Sequence, residues 1–118
     1  NEADVMNVVG DVSGKNCLIV DDMCDTGGTI CKVAKALHDA GANEVLACFT
    51  HAVLSGKAAE NISTSFLKKV IVTNTIPLGE GVASLVESGR IEVLSIGKLL
   101  ASAINSIHDE TSVSSLFI

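Results

Sequence analysis

Residues 17–29, Cys-Leu-Ile-Val-Asp-Asp-Met-Cys-Asp-Thr-Gly-Gly-Thr, contain the change of pattern that decides the fold. The apolar run Cys17–Val20 is short and rich in β-branched residues, which predicts a buried strand. After the two glycines, a helix is predicted to run to about Ala40, with Gly41 as its C-terminal cap. The apolar positions of this helix recur at helical spacing, at Ile30, Val33, Ala34 and Leu37. The stretch therefore predicts a strand, a tight loop rich in acidic residues and glycine, and a helix.

The chemistry of this loop suits a phosphorylated sugar. Asp21 and Asp22 supply acceptor oxygens, which suit sugar hydroxyls or Mg²⁺. Gly27 and Gly28 lack Cβ atoms, so a phosphate can approach the backbone closely at that point. Because no Lys or Arg lies within the loop, the phosphate charge must be met by backbone N–H groups at the helix N-terminus. The residues predicted to bind substrate are Asp21, Asp22, Asp25, Thr26, Gly27, Gly28 and Thr29.

Alternating strands and helices along the chain predict one α/β domain over residues 1–118. Strands are predicted at 5–9, 17–20, 44–50, 70–73 and 91–96, with a short helix near 57–62 and a last helix beyond the final strand. The apolar face of that last helix consists of Leu100, Ala103, Ile104 and Ile107. Because the connections are short, the sheet is expected to be mainly parallel, with helices flanking it and covering both faces.

Composition narrows the class of protein. The formal net charge is −6 and the largest basic cluster is Lys68-Lys69, which argues against nucleic acid or an anionic membrane as the main partner. No apolar run approaches the roughly 20 residues that span a bilayer, so a cytoplasmic location is expected. The four cysteines form no C-x-x-C pair, which favours reduced thiols over a zinc site. Because residue 1 is not Met and the chain begins with a strand-like pattern, we expect it to be part of a longer protein.

Two well-known classes of phosphate-binding loop do not match this sequence. The patterns Gly-x-x-x-x-Gly-Lys-Ser/Thr and Gly-x-Gly-x-x-Gly are absent, which excludes a Walker loop and the dinucleotide-binding fingerprint. The loop instead resembles the phosphoribosyl-pyrophosphate (PRPP) motif that type I phosphoribosyltransferases share with ribose-phosphate pyrophosphokinases, also called PRPP synthetases. Further stretches are similar to the pyrophosphokinase family and run to the end of the chain: Val8–Val12, Thr50-His51 with Leu54–Gly56, Asn74–Leu78 and Ser112–Phe117. The resemblance covers only the C-terminal part of that family's chain, well under half of it.

The resemblance implies a type I phosphoribosyltransferase-like fold and an enzymatic activity. The reaction it implies is transfer of the β,γ-pyrophosphoryl group of ATP to the 1-hydroxyl of ribose 5-phosphate, which gives PRPP and AMP. By the same resemblance, residues 25–29 hold the 5-phosphate, while Asp21 and Asp22 hold the ribose hydroxyls directly or through Mg²⁺. Positions in the tail match those that the family uses at a subunit-interface effector site for phosphate or ADP, within a homo-oligomer that is hexameric in this family. These tail residues are Ser112, Ser114 and Phe117.

The resemblance also implies what this stretch lacks. In the family, the ATP-binding residues, the metal-binding His and the catalytic Lys/Arg loop lie N-terminal to it, so no catalytic residue is assigned here. Phosphoryl transfer needs cationic groups around the moving phosphates. The chain alone is therefore expected to bind ribose 5-phosphate or PRPP without turnover. Two alternatives stay open, a non-catalytic regulatory homologue of the enzyme and a phosphoribosyltransferase.

Overall fold

The computed structural model describes residues 7–117, and its centre is one sheet of four parallel strands. The strands lie side by side in the order in which they occur along the chain: β1 (Asn16–Cys24), β2 (Glu44–Ala52), β3 (Leu67–Thr73) and β4 (Ile91–Leu94). Each neighbouring pair is parallel, so a crossover must bring the chain back between consecutive strands. The predicted α/β architecture with a parallel sheet flanked by helices is confirmed.

Helical segments lie between the strands and after the last one. The α-helices are α1 (Gly28–Asp39), α2 (Ala58–Ser63), α3 (Ala83–Glu87) and α4 (Gly97–His108), and 3-10 turns occur at Glu80–Val82 and Ser114–Phe117. The sequence pattern predicts α1, α2 and α4. It misses α3, because a helix of five residues with one buried side chain, Leu85, is too short to show helical periodicity. Among residues 7–117, no helix has the length and apolar character needed to cross a membrane.

One face of the sheet carries the hydrophobic core. Val45, Ala47 and Phe49 alternate along β2 with more exposed residues, and all three are buried. Helices α1 and α2 pack on this face through Ala34 and Ile62, which are completely buried. Full burial of a large aliphatic or aromatic side chain contributes about 1.5–3 kcal/mol, so this single layer accounts for most of the hydrophobic stabilisation.

The opposite face of the sheet is open in the part of the chain that the structure describes. Val20 and Leu94, on the two outer strands, are 71% and 51% exposed. The helices that pack against the strands lie on the core face, while α4 has its main contacts with the turn Ser114–Phe117. The expectation that helices cover both faces is therefore wrong for residues 7–117. Four large apolar residues of α4 also remain exposed: Leu99, Leu100, Ile104 and Ile107.

Strand β1 is longer than the apolar run that predicts it. Its parallel register with β2 continues to the pair Cys24 and Ala52, so β1 includes Asp21 and Asp22. The two acidic residues therefore lie within the strand, and the loop before α1 shortens to Asp25-Thr26-Gly27. At the other end, residues 7–9 do not form the predicted strand at 5–9, and residues 5 and 6 lie outside the described residues.

Helix α1 ends at the glycine that the sequence predicts as its cap. Gly41 has a φ of 96°, a left-handed conformation that glycine adopts without a steric penalty. Its N–H donates to the carbonyl of His38 at 2.9 Å, and the N–H of Ala42 donates to the carbonyl of Leu37 at 3.0 Å. This pair of hydrogen bonds is the Schellman arrangement, which satisfies the last carbonyls of the helix and turns the chain toward β2.

Arg90 connects the start of β4 with the segment between α2 and β3. Its Nε donates to the carbonyl of Leu67 at 2.8 Å, and its Nη2 donates to the carbonyls of Ile62 and Ser65 at 2.9 and 3.3 Å. A guanidinium can serve several acceptors at once because its donors form a rigid planar fork. The side chain therefore has a structural role, since it satisfies carbonyls at the C-terminal end of α2.

Candidate functional site

The loop Asp25-Thr26-Gly27 follows the carboxyl end of β1 and leads directly into α1. Gly27 is the N-cap of the helix and has a φ of 82°, again in the left-handed region. The cap position has no side chain to bond the first turn, and the N–H of Gly28 lies a long 3.5 Å from Thr26 Oγ1. The first N–H groups of a helix have no partner within the helix. They are therefore donors for an anion, favoured further by the positive end of the helix dipole.

A cavity of about 250 Å³ lies beside this loop. Its lining is formed by Asp21, Met23 and every residue from Cys24 to Ile30. Six of the seven residues predicted to bind substrate therefore surround one cavity: Asp21, Asp25, Thr26, Gly27, Gly28 and Thr29. The combination of hydroxyls, carboxylates and unbonded backbone donors provides both acceptors and donors for a ligand.

Asp22 is the predicted residue that does not line this cavity. Successive side chains of a strand point to opposite faces of the sheet. Asp21 is in register with Phe49 on the core face, and its Oδ1 accepts the N–H of Asp22 at 2.8 Å. Asp22 is exposed to solvent. The structure thus brings Asp21, and not Asp22, to the cavity.

The site offers carboxylate oxygens to a metal ion without forming a closed metal cage. No group of three His, Cys, Asp or Glu side chains within residues 7–117 is arranged to hold a metal. Mg²⁺ is commonly bound by one or two carboxylates together with oxygens of the substrate. Asp21 and Asp25 both border the cavity, so their carboxylates fit a Mg²⁺ ion that the ligand itself helps to hold.

The cavity has an acidic rim and a buried thiol. No Lys or Arg is among the residues that line it, all of which belong to the described chain. Burial raises the pKa of Cys24 to about 11, and the charges of Cys31, Asp25 and Asp21 add to the effect. Cys24 therefore stays a neutral thiol at physiological pH, which excludes it as a thiolate nucleophile there.

Two residues outside the predicted site contact the loop, and one of them, Ser55, belongs to the Leu54–Gly56 stretch that resembles the pyrophosphokinase family. Ser55 Oγ donates to Asp25 Oδ1, and Asn61 Nδ2 donates to the carbonyl of Thr26 at 2.8 Å. Both donors belong to the segment that follows β2. The carboxyl ends of adjacent parallel strands meet at one edge of a sheet, which brings the segment after β2 beside the loop after β1.

The remaining candidates lie outside the cavity lining. His51 Nδ1 is 2.8 Å from Thr75 Oγ1, so this ring is bonded to the loop after β3. In the C-terminal tail, the hydroxyls of Ser112 and Ser114 are 2.7 Å apart, and Phe117 is exposed. The effector role of these three tail residues stays a prediction.

Comparison with known proteins identifies the family. A family model described as phosphoribosyl synthetase-associated domain matches residues 1–118. Proteins named ribose-phosphate pyrophosphokinase from Vibrio parahaemolyticus and Marinomonas sp. are each 50% identical to the chain over 117 residues. The protein of the same name from Haemophilus influenzae is 47% identical over 117 residues. Each match covers 99% of this chain and 36% of the relative, so the chain spans about a third of the length of the curated relatives it matches.

A solved structure agrees with these matches. The crystal structure of phosphoribosylpyrophosphate synthetase from Mycobacterium smegmatis matches with a TM-score of 0.76 and 40% sequence identity, over 86% of this chain and 33% of that chain. The resemblance to the pyrophosphokinase family is confirmed, and the placement of the chain at the C-terminal end of that family's longer sequence stays a prediction. With a family model that matches it from end to end, the chain belongs to the phosphoribosyl synthetase-associated domain family.

Proposed function

We propose that this chain is the ribose 5-phosphate-binding, C-terminal part of a ribose-phosphate pyrophosphokinase. That enzyme transfers the β,γ-pyrophosphoryl group of ATP to the 1-hydroxyl of ribose 5-phosphate, giving PRPP and AMP. The whole chain is similar to proteins of that name, which supports the proposal. Under it, ATP is bound by a part of the longer protein that this chain does not include.

The observation that carries the proposal is the cradle at the start of α1. Gly27 caps the helix without a side chain, so the N–H groups of the first turn face a cavity wide enough for a phosphate. Residues 25–29 line that cavity without interruption. We assign the 5-phosphate to this cradle, where the backbone N–H groups and the hydroxyls of Thr26 and Thr29 meet its oxygens.

Asp21 is the residue that we assign to the sugar. It is the last carboxylate of β1 to border the cavity, and a carboxylate accepts hydrogen bonds from vicinal hydroxyls. Mg²⁺ is the cofactor that we propose, held between ligand oxygens and the carboxylates of Asp21 and Asp25, where it would offset their charge next to a phosphate. Asp22 stays assigned by the resemblance to the ribose hydroxyls or Mg²⁺, although it does not line the cavity.

We do not expect this chain alone to catalyse pyrophosphoryl transfer. The transition state of phosphoryl transfer is stabilised by cationic groups and metal, and the cavity has no Lys or Arg in its lining. We also do not favour a regulatory homologue or a phosphoribosyltransferase, because the matched relatives are named pyrophosphokinases. Two predictions from the resemblance remain: a homo-oligomer, and an effector site for phosphate or ADP at Ser112, Ser114 and Phe117. A cytoplasmic location remains a prediction from the composition of the chain.

Titration of the isotopically labelled chain with ribose 5-phosphate and Mg²⁺, followed by NMR, tests the proposal. We expect the largest amide shifts at residues 25–30, and we expect Gly28→Val to abolish them because its side chain enters the space that phosphate needs. Gly79→Val is the matched control, since Gly79 has an ordinary φ and no atom within 4 Å of an added Cβ. Unchanged binding in Gly28→Val would place the phosphate elsewhere, and AMP formation by the isolated chain would contradict the division of roles.

A further inference from the structure

The structure assigns a positioning role to Asn61 and Ser55, which hold the phosphate loop in its binding shape. We name residues 54–61, which follow β2 and include the start of α2, the bracing segment. This inference rests on the proposed function, because it concerns how a phosphate cradle is kept in order before the ligand arrives. Neither side chain lines the cavity, so each acts through the loop that it contacts.

The bracing segment donates to three consecutive carbonyls of the loop region. Two donors are backbone N–H groups and the third is a side-chain amide. The pairs are Leu54 N–H to Cys24 O at 3.1 Å, Ser55 N–H to Asp25 O at 3.0 Å and Asn61 Nδ2–H to Thr26 O at 2.8 Å. Ser55 Oγ additionally donates to Asp25 Oδ1, so the main chain and the side chain of Asp25 are both held.

This set of contacts fixes the direction of the donors on the other side of the loop. A trans peptide is planar, and its carbonyl and N–H point to opposite sides. Because the carbonyls of residues 24–26 point to the bracing segment, the N–H groups of residues 25–27 point away from it. The peptide between Thr26 and Gly27 comes immediately before the N-cap, so Asn61 sets the angle at which α1 begins.

The bracing segment is itself anchored in the core. Asn61 lies between residues of α2 whose burial is complete, Ala58 and Ile62 at 0% exposure, so its backbone cannot shift without disturbing the core. On the other side, Leu54 and Gly56 have φ values of 47° and 57° and form a left-handed turn around Ser55. A bulky residue rarely adopts this conformation unless its surroundings hold it there. A functional loop held by such rigid elements keeps its geometry better than a free one.

The test compares Asn61→Ala and Ser55→Ala with a matched control, Asn43→Ala. Asn43 Nδ2 donates to Asn16 Oδ1 at 2.8 Å at the opposite edge of the sheet, so its loss removes a similar hydrogen bond far from the loop. We expect Asn61→Ala to weaken ribose 5-phosphate binding about fivefold, since one net hydrogen bond is worth about 1 kcal/mol. Ser55→Ala should weaken it about fivefold, and Asn43→Ala should leave the Kd unchanged.

Hydrogen exchange rates of single amides distinguish a loss of order in the loop from a general loss of stability. Under the proposal, Asn61→Ala accelerates exchange at Cys31, whose N–H donates to the carbonyl of Gly27 at 3.0 Å at the start of α1, while exchange at buried Ile62 stays as in the wild type. Equal acceleration at both amides, or wild-type Kd in Asn61→Ala, overturns the positioning role. A wild-type chain that binds no ribose 5-phosphate contradicts the proposed function instead. Local acceleration in the variant would then still support the bracing of the loop, and wild-type exchange would overturn it.

Discussion

The adjacent glycines of the loop should respond in opposite ways to the same substitution. In Gly27→Ala, the added Cβ meets Ile62, Asn61 and Cys24 atoms at 3.8 to 3.9 Å, which are ordinary contacts. The penalty is therefore conformational, because a left-handed backbone costs an L-residue about 1–2 kcal/mol. About 0.4–1 kcal/mol is recovered from the reduced entropy of the unfolded chain. We expect a net loss of about 1 kcal/mol, which lowers the Tm of a domain of this size by about 4 °C.

Gly28→Ala should keep the fold and lose the ligand. Gly28 has an ordinary helical backbone, and an added Cβ has one neighbour, Thr26 Oγ1 at 3.7 Å. Alanine is the better helix former, so the Tm should stay the same or rise slightly. The new methyl group stands beside a hydroxyl of the cradle and holds the phosphate away from the first-turn N–H groups. A lost hydrogen bond to a charged group is worth about 1.5–3 kcal/mol, so binding should weaken about 10- to 150-fold.

Two measurements on the same preparations separate these effects. Thermal unfolding followed by circular dichroism gives the Tm, and calorimetric titration with ribose 5-phosphate and Mg²⁺ gives the Kd. Wild-type affinity in Gly28→Ala would refute the idea that phosphate approaches this backbone. An unchanged Tm in Gly27→Ala would refute the conformational argument for Gly27.

Three further predictions concern the rest of the fold. The free energy of unfolding should fall by about 2–3 kcal/mol as the pH rises from 9.0 to about 11, because the Cys24 thiol ionises at a lower pH in the unfolded chain than in the folded one. Denaturant titrations over this pH range should show a smaller fall for Cys24→Ala. Arg90→Ala should cost about 2–3 kcal/mol in urea unfolding because three hydrogen bonds from the guanidinium to backbone carbonyls are lost. Arg90→Lys should recover only part of this loss, and equal stability of all three proteins would contradict the role. Val72→Ser, on the core face, should lower the free energy of unfolding by at least about 2 kcal/mol, while Val20→Ser on the open face should change it by less than about 0.5 kcal/mol. Similar losses in the two variants would contradict a hydrophobic core on one face of the sheet.

The part of the site that is contiguous in the chain could be predicted from the sequence. The change from a β-branched run to helical spacing at the two glycines locates the loop, and neighbours in sequence at a strand–helix junction are neighbours in space. The extent of β1 could not be predicted in this way. Asp21 and Asp22 interrupt the apolar pattern, yet they remain in the strand because pairing with β2 continues as far as Cys24. That extra length keeps both acidic residues within β1 and leaves only three residues in the loop.

The contacts of the bracing segment could not be predicted from the sequence, for a different reason. Ser55 and Asn61 are separated by 30 and 35 residues from the loop residues that they contact. A serine before glycine is typical of a turn, and an asparagine in a short helix is typical of a solvated position. Their role depends on the crossover that brings the end of β2 beside the end of β1, which periodicity alone does not describe. The same limit applies to α4, whose apolar face was predicted but is exposed at Leu100, Ile104 and Ile107 in the part of the chain that the structure describes.

The consecutive strand order has a consequence for how the protein forms. Because β1, α1, β2 and α2 follow one another along the chain, the cradle and its brace are complete within residues 16–63. Contacts between segments that are close in sequence have a small loop-closure entropy and form early. During synthesis from the N-terminus, every element of the proposed cradle and its brace therefore precedes β3 and β4. Under the proposed function, a ligand that binds this region favours its native arrangement by mass action.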